Sequence, residues 1–343
     1  MTSHLTPIRK VVISEFGDVS KVSVVDATIG APRSEEVQVA PIYSGFAGAD
    51  INMRLGQYPL QKKAPLTPGY CLVGKVKTDG VNFNSGDVVC CLTIYDAEAE
   101  LVNLPEKYLV KVPEGVDLKQ ATALVLDWAT AYGMVDKAAK VTKGQRVFVH
   151  CISGAVGYAT MKLCQLRGAT VYGTASERKH EIIRDQGATP FTYTNKEWMK
   201  AMQDIGGADA VFDPLAFESW DESYSILSER GILVGCGTNL ETVGARPPSD
   251  FSPVMQILKL MLRSYANVFS KKRATFFGIS RDDPSFVPNL NTLFSLVKDR
   301  GIDVVIKSVW RMADIQEAHK SYGKDDGVGS NLIEVSGEDG QGE

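Results

Sequence analysis

The sequence predicts an α/β protein built from two unlike parts, an all-β barrel-like unit and a doubly wound parallel sheet. Three observations predict it. Residues 8–125 break into short β-rich runs separated by Gly, Pro or Asp. From about residue 126 strands and helices alternate, which is the pattern of a parallel sheet with crossover helices. At the head of that alternation, "VFVHCISGAVGYATMKLCQLRGATVYGTAS" (147–176) reads as strand, glycine loop, helix and second strand.

In the first part "VVISEFG", "KVSVVDA", "EVQVAPIY", "CLVGKVKT", "GDVVCCLTIY" and "LVKVP" are strands, rich in β-branched residues. Cys90 and Cys91 are neighbours, so they take opposite faces of a strand and read as small apolar fillers. In the second part the strands are 147–151, 170–174, 190–193, 208–213, 231–236 and 273–279, with helices at 155–168 and 178–187. The stretch 246–264 is a proline-rich loop, then a helix with Val254, Ile257, Leu258 and Met261 on one face, a cover for a cleft or a dimer contact. Residues 300–334 give a strand, a helix begun at Met312 and Asp314 and stopped by Gly323, and a last strand. The tail 337–343 is too polar to pack and reads as disordered.

The balance of 37 basic and 41 acidic residues leaves a net charge of −4. That gives no electrostatic reason to expect nucleic acid or an anionic membrane as partner. No apolar run is long enough to span a bilayer and the start lacks a secretory signal, so the expectation is a cytoplasmic protein. Six cysteines without a C-x-x-C pair suit free thiols in a reducing compartment. Histidines stand at 4, 150, 180 and 319, none near a cysteine on a loop; His150 and Cys151 are expected to point apart along a strand. No metal is expected.

In the glycine loop, Val156, Ala159, Leu163 and Leu166 fit a helix face resting on the sheet. Gly154 lets backbone N–H groups approach a pyrophosphate, Gly157 lets the helix sit close to the strand, and the helix N-terminus adds partial positive charge. The second strand ends on Ser176, followed by Arg178 and Lys179, where an NAD site places an acid. A hydroxyl with two cations suits a 2′-phosphate, so the predicted cofactor is NADPH; Glu177 stands ready to pair with either cation.

The chain resembles the medium-chain dehydrogenase/reductase superfamily, in its zinc-free quinone oxidoreductase branch. The likeness is carried by "SGFAGADINMRLGQYP", "PLTPGYCLVGKV", "ALVLDWATAYGM", the glycine loop, "GATPFTY", "ADAVFDPLAFESW" and "GILVGCG", in that order. It implies a GroES-like barrel over 1–125, a Rossmann NADPH-binding domain over 126–299, and a return of 300–336 to complete the barrel. It implies homodimers joined through the strand at 273–279. It places Thr130 by the nicotinamide and Ser153, Gly154, Ala155, Val156 and Gly157 at the pyrophosphate. Lys179 and Tyr193 fall at the 2′-phosphate. Gly235, Cys236, Gly237, Phe277 and Asn331 complete the cofactor set. The chain departs from relatives at Ala47 (usually Asn), Asn52 (in some Tyr), Cys71 (commonly an acid) and "YDAEAEL" in place of "GGYAEY", all on the substrate side.

The function expected is zinc-independent hydride transfer from NADPH to a quinone or to the C=C bond of an α,β-unsaturated carbonyl. Tyr58 and Asn52 are the catalytic candidates, with Tyr70 and Cys71 behind them. Two alternatives stand beside it: a biosynthetic tailoring enzyme acting on a bulky natural product, and an NADPH-binding protein with little redox activity.

Overall fold

The computed structural model describes residues 5–240, 252–266, 270–324 and 326–336. The strands are β1 (Thr6–Ile13), β2 (Val22–Ile29), β3 (Glu36–Phe46), β4 (Cys71–Val76), β5 (Val88–Leu92), β6 (Val102–Pro105), β7 (Val110–Lys111), β8 (Arg146–Val149), β9 (Thr170–Ala175), β10 (Thr189–Thr192), β11 (Ala208–Asp213), β12 (Leu227–Gly235), β13 (Arg273–Phe276), β14 (Ile306–Arg311) and β15 (Ser330–Glu334). Helices are α1 (Gly48–Leu55), α2 (Leu118–Ala123), α3 (Ala129–Tyr132), α4 (Ala155–Leu166), α5 (His180–Asp185), α6 (Glu197–Asp204), α7 (Glu218–Ser225), α8 (Pro253–Ala266), α9 (Phe286–Lys298) and α10 (Ile315–Ser321).

Two sheets organise the α/β fold. The GroES-like unit is a mixed sheet in the order β14-β15-β3-β4-β5-β7, with β6 also paired to β3 and the β1–β2 pair beside it. β3 is its hub, because its residues are buried along most of their length and it pairs with β4, β6 and β15. The Rossmann unit is a six-stranded parallel sheet, β10-β9-β8-β11-β12-β13. Chain order reverses between β8 and β11, so their carboxyl ends frame a crevice for a ligand.

Between the units runs a continuous helical stretch, α2 and α3 joined and followed by π turns at Leu124–Trp128 and Gly133–Ala139. Its start packs on β3, β4 and β15, and its later turns on α4 and α9. The 125/126 border expected from the sequence therefore falls inside a buried helical run that serves both units.

Several boundaries differ from the expectation. β8 stops at Val149, so His150 and Cys151 lie in a turn rather than a strand, and Cys151 takes φ of 53°. β13 ends at Phe276 rather than at 279; the Phe277 N–H still bonds Gly235 O at 2.8 Å as the last rung to β12. Leu166, expected on the sheet, is half exposed in the last turn of α4, where it lines a surface cavity with Lys162 and Ile302. In α8, Val254, Leu258 and Met261 face outward, while Ile257 and Leu260 pack inward on the cluster around Trp220 and Phe276. Residues 246–251 and the tail 337–343 lie outside the described residues. Cys90 and Cys91 fall in different core clusters, one on each face of β5, as adjacent strand residues must.

Candidate active site

The turn after β8 builds an anion cradle out of backbone. Gly154 N–H bonds Cys151 O at 2.8 Å, and a Cβ on Gly157 would stand 2.2 Å from that same oxygen. No side chain fits at 157, so α4 starts directly against the strand. Gly154 is the N-cap and no side chain caps the helix. The first-turn N–H groups of Ala155, Val156 and Gly157 are thus left for a ligand, with the partial positive charge of the helix end behind them. Ser153 is buried beside them, and its carbonyl accepts from Gly329 N–H at 3.3 Å, which brings the segment before β15 over the loop. A pyrophosphate fits this cradle.

At the end of β9, Ser176 is extended and partly buried. Arg178 pairs with Asp326 (Nε–Oδ1 2.8 Å) and donates to Lys324 O at 3.0 Å, so its charge is held by the carboxyl-terminal segment rather than by Glu177. Lys179 is buried, and its charge favours the ionised form of Cys151, against the burial that pushes that thiol up. Tyr193 follows β10 and is half exposed.

The expected nicotinamide end gathers around β12. Cys236 N–H bonds Asp213 O at 3.2 Å. The Asp213 carboxylate accepts from Ser219 Oγ (2.7 Å), Ser223 Oγ (2.6 Å) and Leu215 N–H (2.8 Å), which fixes the turn after β11. Gly235 is backed by Leu260 and Trp220, and Gly237 by Pro214 O and Asn239. The Phe277 ring lies where a side chain on Gly133 would stand, 2.2 Å from that Cβ position. Thr130 is buried on α3. Asn331 is buried on β15 and accepts from Ser308 Oγ at 2.7 Å.

The barrel wall is made of side chains. Tyr58 and Tyr70 share a hydrogen bond of 2.6 Å between their hydroxyls, and burial raises both phenols. Asn52, buried on α1, donates to Asn239 Oδ1 at 2.8 Å. Behind them sit acids that sequence reasoning missed. Asp50 accepts from Ala47 N–H (2.9 Å) and Gly69 N–H (3.2 Å), and burial pushes it up to about 6. Glu98 is fully buried with neither carboxyl oxygen hydrogen-bonded, so burial, then the charge of Asp50, raises it well above the ordinary range. Asp127 accepts from Ser330 Oγ at 2.7 Å, and burial pushes it to about 7. No local signal marks Glu98: in "AEAE" Glu100 reaches out to Arg9 at 2.8 Å while Glu98, two residues earlier, turns in. Cys71 is fully buried and its thiol is pushed up by burial, as an inert core residue is.

Among the described residues no three His, Cys, Asp or Glu side chains converge to hold a metal ion. His150 sits edge-on to Trp198, with Nδ1 3.0 Å from Thr174 Oγ1. His319 is buried edge-on to Phe46, and burial lowers it to about 3.

Comparison with known proteins places the chain. Residues 155–279 match the family described as zinc-binding dehydrogenase. The chain is 26% identical over 341 residues to human synaptic vesicle membrane protein VAT-1 homolog-like, covering 96% of this chain and 81% of that one. The crystal structure of that human protein superposes with a TM-score of 0.79 at 25% identity, over 96% and 98% of the two chains. A probable quinone oxidoreductase of Schizosaccharomyces pombe is 26% identical over 316 residues, 90% of this chain and 91% of that one. A mycobacterial protein complexed with NADPH shares the fold, with a TM-score of 0.79 at 23% identity over 95% and 99%. With the glycine-framed cradle, the barrel closed by the carboxyl-terminal strand and these likenesses in hand, the findings support the medium-chain dehydrogenase/reductase superfamily for this chain, in its quinone oxidoreductase-like branch.

Proposed function

We propose that the protein reduces a quinone, or the C=C bond of an α,β-unsaturated carbonyl, with NADPH and without a metal. The observation that carries this is the uncapped first turn of α4, held against Cys151 by Gly157 at the carboxyl edge of a parallel sheet. Bound NADPH supplies a hydride. In this reading Ser153 to Gly157 hold its pyrophosphate, and Ser176, Arg178, Lys179 and Tyr193 take its 2′-phosphate. Thr130, Gly235, Cys236, Gly237, Phe277 and Asn331 flank the nicotinamide. Tyr58 gives a proton to the reduced substrate, its hydroxyl held in place by Tyr70 Oη, 2.6 Å away.

A homodimer joined through β13 accords with its place as an edge strand with one open side. Cytoplasmic placement accords with six free cysteines. Among the described residues no helix is long and apolar enough to cross a membrane.

The test is fluorescence titration with NADPH and NADH, followed by turnover with quinones and enones. NADPH is expected to bind at least about tenfold tighter, as one or two charge-assisted hydrogen bonds allow. Equal binding of the two, or NADPH binding with no acceptor reduced, overturns the proposal.

A further inference from the structure

Asn239 stands two residues past Gly237, beyond the carboxyl end of β12, where the parallel sheet meets the barrel. Its N–H bonds Pro214 O at 3.0 Å, and its Oδ1 accepts from Asn52 Nδ2 at 2.8 Å. The carboxamide lies in a slot made by two glycines, one from each unit. A Cβ on Gly48 would come 3.1 Å from its Oδ1, and a Cβ on Gly237 2.8 Å from its Nδ2. Tyr322 Oη closes the same corner, 3.2 Å from the Gly48 Cβ position. The side chain is thus anchored at its backbone and at its oxygen. Its Nδ2, with two N–H donors, meets no hydrogen-bond acceptor among the described residues. Fixed donors at the rim of a ligand crevice suit an oxygen that gains charge during reaction.

We propose that the Asn239 carboxamide, aimed by Asn52, donates a hydrogen bond to the carbonyl oxygen of the substrate and so selects carbonyl-bearing acceptors. The inference rests on the reductase reading above and names the group that meets its substrate. For an enone, hydride adds at the β-carbon and the C=C electron pair shifts to make an enolate. The negative charge sits on the carbonyl oxygen, where the Nδ2–H lies, and a proton from Tyr58 then reaches the α-carbon. Asn52 is a positioning residue in this step, acting through Asn239.

The experiment uses the full-length protein and cyclohex-2-en-1-one, with cyclohexanone as a non-reacting ketone. Asn239→Ala and Asn239→Asp, the second of which keeps the shape but removes both N–H donors, are expected to lower kcat/KM for the enone by about 10- to 100-fold. NADPH affinity and thermal midpoint should stay close to those of the wild type. Binding of cyclohexanone to the NADPH complex, followed by fluorescence, should weaken in parallel. Asn52→Ala should give a similar loss, and the double variant should be no worse than either single one, because both act on one hydrogen bond. Wild-type kcat/KM in both Asn239 variants, or additive losses in the double variant, overturns the inference and leaves the reductase reading standing. If the wild-type protein binds NADPH but reduces none of the quinones and enones offered, both fall together.

Discussion

The two walls of the cleft are built on different principles. The dinucleotide wall is backbone: Gly157 against Cys151 O, an uncapped helix and a loop braced by Gly329. The barrel wall is side chain: two tyrosine hydroxyls, an asparagine pair and buried carboxyls, one of them with no hydrogen bond. A backbone cradle tolerates drift in the residues around it as long as its glycines stay. A wall of buried polar groups depends on each member, because removing one leaves another unsatisfied. The first wall can therefore keep a common ligand while the second is free to change what it recognises.

The strongest way to break the comparison is Gly157→Val. The added atoms collide with backbone at Cys151, so α4 must move off the strand. NADPH binding should be lost by more than about 100-fold, and stability should fall by about 1–3 kcal/mol. Fluorescence titration and thermal melts check this, and retained binding would mean that the cradle is not made by that glycine.

Next in size is Ser176→Asp, which places a carboxylate where the 2′-phosphate is expected. NADPH affinity should drop by about 10- to 100-fold while NADH affinity holds or improves. Unchanged affinity for both would move the phosphate site elsewhere.

Glu98→Gln sharpens the other wall. Glu98 lies above its ordinary value of 4.5 in the folded state, so the folded protein keeps a proton that the unfolded chain releases. Stability must fall as pH rises from about 4.5 toward the folded value, by about 1.4 kcal/mol per pH unit while this one group differs. The variant should match the wild type near pH 4.5 and exceed it at pH 8. Asp50 and Asp127, raised to about 6 and about 7, keep a smaller slope of the same sign in the variant. Parallel pH profiles of the thermal midpoint would show that Glu98 is not held protonated.

The smallest expected effect on stability is that of Tyr58→Phe. It removes one hydroxyl of a partly buried pair, which costs about 1 kcal/mol. Turnover should fall more than stability does, with the loss in kcat rather than in NADPH affinity. Undiminished kcat would clear Tyr58 of proton transfer.

The same contrast explains what could be read in the chain. The parallel sheet was legible because β8, β9 and β11 are apolar runs spaced by helices, and the cradle because Gly154 and Gly157 lie within one turn of each other in sequence. The polar barrel wall was legible only at Tyr58, Tyr70 and Asn52, which the sequence singled out. Asp50, Glu98 and Asn239 come together only through folding, and no local pattern tells Glu98, which is buried, from Glu100, which meets Arg9. Helices α6 and α7 escaped for another reason. They bury only a few residues each, Trp198 and Met202 in the one and Ser219, Trp220 and Ser223 in the other, too few apolar ones for a clear period. The border at 125/126 was placed by a change of texture, which cannot register a helical run that is buried and serves both units.

The pairing of β3 with β15, Gly45 opposite Leu332, carries a consequence for biosynthesis. The hub strand emerges from the ribosome long before β15 does. Until β15 follows, one margin of β3 is an open template for any extended chain nearby. Nascent chains halted before residue 330 should be the species that chaperones capture.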